Sequence, residues 1–184
     1  MKECKNENRL YIGNDKECYA IGEPGKYNLL VVGLSPTDAT FENPNPTIKR
    51  IRKIAEQYGY YGWIMVNLCP VRIADPDNLP DRLDDSISDR NIEVIKKLQD
   101  EYVLGAVYAI WGDSIDERDY LPIECQKIVN AVCDISWYTR GMTRYGNPKH
   151  PIKVTYAQEM KWFPVQDYLF FYDVIDEFLT GAEW

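Results

Sequence analysis

The chain has 184 residues, 45% of them hydrophobic and 27% charged, with a formal net charge of −8. That length suits one domain with a sizeable core and is short for two. No apolar run approaches the roughly 20 residues that cross a bilayer, which argues against a membrane partner, and the negative charge argues against tight non-specific nucleic-acid binding.

The opening segment Met1 to Glu7 is polar and acid-bearing and lacks the apolar stretch of a secretory signal. Residues 10–12 and 18–21 read as a short edge hairpin around Gly13-Asn14-Asp15. Tyr27 to Gly33, Trp63 to Asn67 and Val103 to Trp111 are nearly continuous apolar runs, and Ile135 to Tyr138 is a weaker fourth. Runs without polar alternation suit strands covered on both faces, as in a parallel sheet. Helices are expected between them. The first has Asn45 as N-cap, Pro46 in its opening turn and Ile48, Ile51, Ala55 and Tyr58 at helical spacing, ending before Gly59. Further helices are expected over about 89–101, 121–132 and 167–179, with a long acidic loop over 75–88. The strand–helix alternation predicts a single three-layer α-β-α domain, 1–184, with a mostly parallel four-stranded central sheet. Right-handed crossovers gather its ligand crevice at the carboxyl ends of the strands.

Five cysteines (Cys4, Cys18, Cys69, Cys125 and Cys133) are scattered without a Cys-x-x-Cys pair, which fits reduced thiols in a cytoplasmic protein and offers no metal site. Cys69 and Cys133 lie in apolar stretches and read as core residues. Two stretches are basic and free of acids: Pro44 to Lys53, with Lys49, Arg50, Arg52 and Lys53, and Ile135 to Gln158, with Arg140, Arg144, Lys149, His150 and Lys153. Solvated faces explain such stretches, and so does a phosphate near the helix that Lys49 and Arg50 open.

Four segments collect at the crevice edge under this topology: Gly33-Leu34-Ser35-Pro36-Thr37-Asp38, Asn67 with Pro70 and Arg72, Trp111-Gly112-Asp113, and Gly146 to Pro151. Each taken alone has a plain structural explanation, as a turn, a cap or a surface loop. As an ordered set they resemble a bacterial family known as domain of unknown function 1643. The resemblance runs through Ser35-Pro36-Thr37-Asp38-Ala39-Thr40, Asn45-Pro46-Thr47-Ile48-Lys49-Arg50, Gly59-Tyr60-Tyr61-Gly62 and Asn67-Leu68-Cys69. It continues through Arg72-Ile73-Ala74-Asp75-Pro76, Trp111-Gly112 and Gly146-Asn147-Pro148-Lys149-His150-Pro151.

More distantly, the same set is similar to the uracil-DNA glycosylase superfamily, which implies a fold of that type and a nucleobase, nucleotide or nucleic acid as partner, with no cofactor. On that resemblance Gly33 to Pro36 positions water, with Ser35, Asp38 and His150 as catalytic candidates, and Asn67 reads the base edge. Thr37, Trp111 and Gly112 line the ligand, and Arg72, Arg144 and Lys149 meet phosphate. Breaking an N-glycosidic bond puts negative charge on the departing base, and His150 is the natural donor to it. Ser35 stands where the superfamily has an acid or amide, and Ile152 follows His150-Pro151 where it has Ser. A hydroxyl is no base at neutral pH without a partner. A non-catalytic nucleotide-binding module therefore stands beside the enzyme as an alternative, as does an unrelated hydrolase or transferase on the same scaffold.

Overall fold

The computed structural model describes residues 2–6, 9–37, 44–73 and 75–180, so Asp38 lies outside the described residues. In chain order the strands are β1 (Lys2–Asn6), β2 (Arg9–Gly13), β3 (Cys18–Glu23), β4 (Asn28–Gly33), β5 (Gly62–Asn67), β6 (Leu104–Ala109), β7 (Trp137–Thr139) and β8 (Lys161–Trp162). The helices are α1 (Pro46–Gln57), α2 (Asp85–Glu101), α3 (Tyr120–Ala131) and α4 (Val165–Thr180). None of the described helices is long and apolar enough to cross a membrane.

The sheet has eight strands where the apolar runs suggest four, in the order β1-β2-β3-β5-β4-β6-β7-β8. The four expected strands are its centre, where β4 pairs in parallel with β5 and β6, and β6 with β7. Antiparallel pairing extends it on both sides, through β3, β2 and β1 beyond β5 and through β8 beyond β7. The hairpin of β2 and β3 thus lies inside the sheet rather than at its edge. β1 and β8 carry no apolar run, so period and hydrophobicity do not mark them.

Strand periodicity divides the core. Leu30, Val32, Ile64, Val66, Val107 and Ala109 pack with Val94, Ile95 and Leu98 of α2, Leu121, Cys125 and Ile128 of α3, and Leu169 of α4. Their alternates Leu29, Val31, Trp63, Ala106, Tyr108 and Ile110 pack with Ile48, Ile51 and Ile54 of α1. Each fully buried aliphatic side chain contributes about 1.5–3 kcal/mol, and β4, buried at all six positions, belongs to both clusters at once.

α1 begins as its sequence predicts: Pro46 takes the first turn and the Asn45 side chain accepts from the Ile48 amide at 2.9 Å. α2 begins four residues before the expected start, because Asp84 caps it by accepting from the Ser86 amide. The acidic loop is shortened accordingly, and a 3-10 turn at Pro76–Asn78 interrupts it. Cys133 is exposed, contrary to its apolar surroundings in sequence, because it sits in the turn after α3, where Asp134 has φ +60°. Cys18, Cys69 and Cys125 are buried free thiols.

Candidate functional site

The parallel register places Gly33 opposite Asn67 at the carboxyl ends of β4 and β5. Alternation turns both toward the α1 face, on which Met65 and Ile110 also lie. Gly33 is required there by close approach: a Cβ would stand 2.6 Å from Met65 Cε and 2.7 Å from Asn67 Oδ1. The missing side chain opens a cavity of about 430 Å³ between the strand ends and the first turn of α1, within the usual range of small-molecule sites.

Its walls bring together Gly33, Ser35, Pro36, Thr37, Asn67, Arg72, Trp111, Gly112 and His150, nine of the candidates that the sequence picks out. Ile21, Met65 and Ile110 give it an apolar base, while Asn45, Thr47, Asp113, Ser114 and Lys153 add polar groups. Asn67 is 2% exposed, and its side-chain amide makes no hydrogen bond to a described residue, its Oδ1 being shielded from solvent as well. Such a group is uncommon, since a buried polar atom left without a partner costs about 1–3 kcal/mol. The Asn67 backbone carbonyl accepts from Asn91 Nδ2 of α2 at 3.0 Å, which fixes the end of β5.

His150 joins Asn67 in the cavity wall from a separate loop, its Nε2 3.4 Å from Thr47 Oγ1 of α1. Burial, with the positive charge of Lys153 adding to it, holds the imidazole down to about 4, so the ring is neutral at physiological pH. Three supports hold that loop. Arg50 of α1 donates to the carbonyls of Pro151 and Val154. Arg140, fully buried, donates to those of Thr155, Tyr156 and Gln158. Asn147, 2% exposed, gives its Nδ2 to Asp113 and Asp116 and accepts at Oδ1 from the hydroxyls of Tyr168 and Tyr172. The Gly112 amide also donates to the Pro148 carbonyl at 2.9 Å, and Gly112 adopts φ +73°, a conformation that favours glycine.

Two of the residues expected to meet phosphate lie away from the cavity wall. Arg144 and Lys149 do not line the cavity. The chain folds back on itself here, with Met142 bridged to Pro148 and the Lys149 amide bonded to the Gly141 carbonyl. That turn leaves Arg144 exposed at its tip, over the ring of Tyr145, and lays the Lys149 side chain along Gly141. Lys153 is the cation of that stretch in the cavity wall. Arg72 lines the cavity, yet its guanidinium donates to the Thr37 carbonyl and the Tyr11 hydroxyl, bracing the Ser35–Thr37 loop. The basic stretch before it is engaged as well: Arg52 forms a bidentate pair with Glu23, and Lys53 lies over the ring of Tyr156.

Trp111 forms one wall and donates from Nε1 to the Tyr168 hydroxyl at 3.1 Å. Cys18 also borders the cavity, but burial pushes its thiol up to about 11, which keeps it protonated and a poor nucleophile. Tyr60 stacks on Tyr27 and Tyr61 is exposed under Lys26, so neither reaches the site. No group of three or more His, Cys, Asp or Glu side chains among the described residues could hold a metal ion. A second, more apolar hollow of about 610 Å³ lies on the other side of the Asn147 loop, lined by Tyr145, Trp162, Phe163 and Phe171. Asp113, Thr143 and Asn147, which organise the His150 side of the site, carry no sequence signal beyond their neighbourhood to Gly112 and His150.

Residues 19–152 match the family described as "Protein of unknown function (DUF1643)". The chain belongs to that family. No curated protein and no solved structure matches it. The matched segment runs from β3 to the 3-10 turn at Pro151–Lys153 and contains every cavity residue named above except Cys18 and Lys153. In this DUF1643 chain α4 lies outside the match, although Tyr168 and Tyr172 reach back from it to Asn147.

Proposed function

We propose that the cavity receives a nucleobase, free or within a nucleotide or nucleic acid, on a three-layer scaffold of the uracil-DNA glycosylase type, and that it cleaves the N-glycosidic bond by hydrolysis. The observation that carries this reading is the Asn67 amide: buried, without a hydrogen-bond partner among the described residues, and in the cavity wall. A side-chain amide offers one acceptor and two donors, the complement of a base edge. With the buried Oδ1 acceptor left without a partner among the described residues, a ligand that donates to it is strongly preferred over one that does not.

Three further features support it. The neutral His150 ring can donate a hydrogen bond to an oxygen that gains negative charge, without bringing a full positive charge into a buried site. Ile21, Met65 and Ile110 supply the apolar surface against which a planar ring packs. With Arg72 engaged and Arg144 and Lys149 outside the cavity, a chain of net charge −8 suits a small ligand or a short single strand better than a long duplex. Ser35 favours a second reading, a binding module without chemistry: it lines the cavity with no base hydrogen-bonded to its hydroxyl among the described residues.

Thermal unfolding with a panel of free bases, nucleosides and nucleoside 5′-monophosphates tests both, because a ligand that binds only the folded chain raises its Tm. At least one base type is expected to raise the Tm of the wild type and not of Asn67→Ala. Release of free base from nucleosides or single-stranded oligonucleotides, followed by chromatography, separates the catalytic reading from the binding one. A panel in which no base, nucleoside or nucleotide shifts the wild type sinks both.

A further inference from the structure

Among the described residues Asp113 is the one carboxylate in the cavity wall. It follows Gly112, whose amide is bonded to the Pro148 carbonyl, so it is held against the His150 loop. Its Oδ1 accepts from Thr143 Oγ1 and, at 3.1 Å, from Asn147 Nδ2. Oδ2 makes no hydrogen bond to a described residue. One oxygen is thus anchored by two donors on the 143–150 loop, while the other has no partner among the described residues, in a side chain that belongs to the cavity wall. Among the described residues the hydroxyl of Ser35 has no such anchoring and no base bonded to it.

We infer that Asp113, rather than Ser35, is the general base of this site. The inference rests on the base-cleaving reading above. In the reaction, Asp113 Oδ2 takes a proton from a water molecule as the water oxygen bonds to the sugar C1′. The C1′–N bond breaks and its electron pair leaves with the base, while the His150 N–H donates a hydrogen bond to the base oxygen that carries the charge. The base then regains, through solvent, the proton that Asp113 took. The products are free base and the sugar hemiacetal, with nothing oxidised or reduced. Anchoring acid-accepting and base-stabilising groups on one loop pair keeps them at fixed separation, as positioned proton transfer requires.

The test uses the full chain with uracil-, hypoxanthine- and adenine-containing single-stranded oligonucleotides and the matching nucleosides and nucleotides, with released base measured by chromatography and binding by Tm shift. Asp113→Asn is expected to keep the ligand-induced Tm shift and KM within about three-fold while kcat falls at least about a hundred-fold. Asp113→Ala is expected to recover part of its rate when formate is added, a response that a structural role does not produce, and Glu117→Gln, an exposed neighbour, to turn over within about two-fold of wild type. Turnover by both Asp113 variants within about five-fold of wild type would overturn the assignment and leave the base-cleaving reading standing. Loss of binding and turnover together in both variants, without formate rescue, makes Asp113 structural and overturns it too. A wild type that binds bases but releases none overturns the catalytic assignment and leaves the binding module; one that does neither overturns both.

Discussion

Acidification from about pH 7.5 to about pH 4 carries His150 through a transition that the fold opposes, and its size follows from the site. In the unfolded chain the ring titrates near its ordinary value of 6.5; in the folded chain burial, then Lys153, holds it near 4. Between those values the unfolded state binds the extra proton, so stability falls as the pH drops from about 6.5 to about 4 and levels off below. One pKa unit corresponds to about 1.36 kcal/mol, which sets the maximum slope per pH unit and gives a total near 3 kcal/mol for the full shift. Urea unfolding at closely spaced pH values, run side by side on wild type and His150→Gln, isolates this contribution. Carboxylates titrate in both proteins and cancel, whereas glutamine has no proton to gain. The wild type is expected to lose about 2–3 kcal/mol more than His150→Gln on acidification. A stability difference that stays flat from neutral pH to about pH 4 would show that the ring is solvated rather than enclosed beside Thr47, and the neutral-donor role would fall with it.

Other expectations follow from the same geometry. Gly33→Ala forces its methyl onto Met65 and Asn67; it should cost about 1–3 kcal/mol in urea unfolding and abolish any base-induced Tm shift. Asn91→Leu removes the donor to the Asn67 carbonyl, with an expected loss of about 1–3 kcal/mol and a weaker ligand response, measured in the same titration. Asn147→Leu strips the Asp113, Asp116 and Tyr168 side chains of a shared partner and should destabilise the chain by at least about 2 kcal/mol; unchanged unfolding would show that the loop needs no hub. In the native chain Cys133 should react with a thiol reagent well before Cys18, Cys69 or Cys125, as mass mapping of labelled peptides would report.

The parallel centre of the sheet was legible because burial on both faces writes itself as unbroken apolar runs, as in Leu29 to Val32. α1 was legible because Asn45 and Pro46 state its start chemically. β8 was not, since two exposed residues carry no period, and the start of α2 was obscured because Asp84 looks like one acid among many. The cavity itself was half visible. Gly33, Asn67, Trp111 and His150 stand at strand ends or near glycine and proline, positions that topology brings to one edge. The duties of Arg50 and Arg140 were hidden, because a guanidinium bonded to carbonyls a hundred residues away, or fifteen, reads in sequence as free positive charge. Asp113 stood in a segment expected at the crevice, but its anchoring was hidden: only the folded chain sets Thr143 and Asn147 against one of its oxygens.

Trp111 gives the molecule a reporter of its own. The residue borders the cavity, its ring packs against Trp137, Phe163 and Tyr168, and its N–H is tied to Tyr168, whose hydroxyl touches Asn147 in turn. Whatever fills the cavity shifts the field and packing felt by a clamped emitter at its wall. Occupancy of the site is therefore readable as a change in tryptophan fluorescence that Trp111→Phe removes, with no label added and no reaction required.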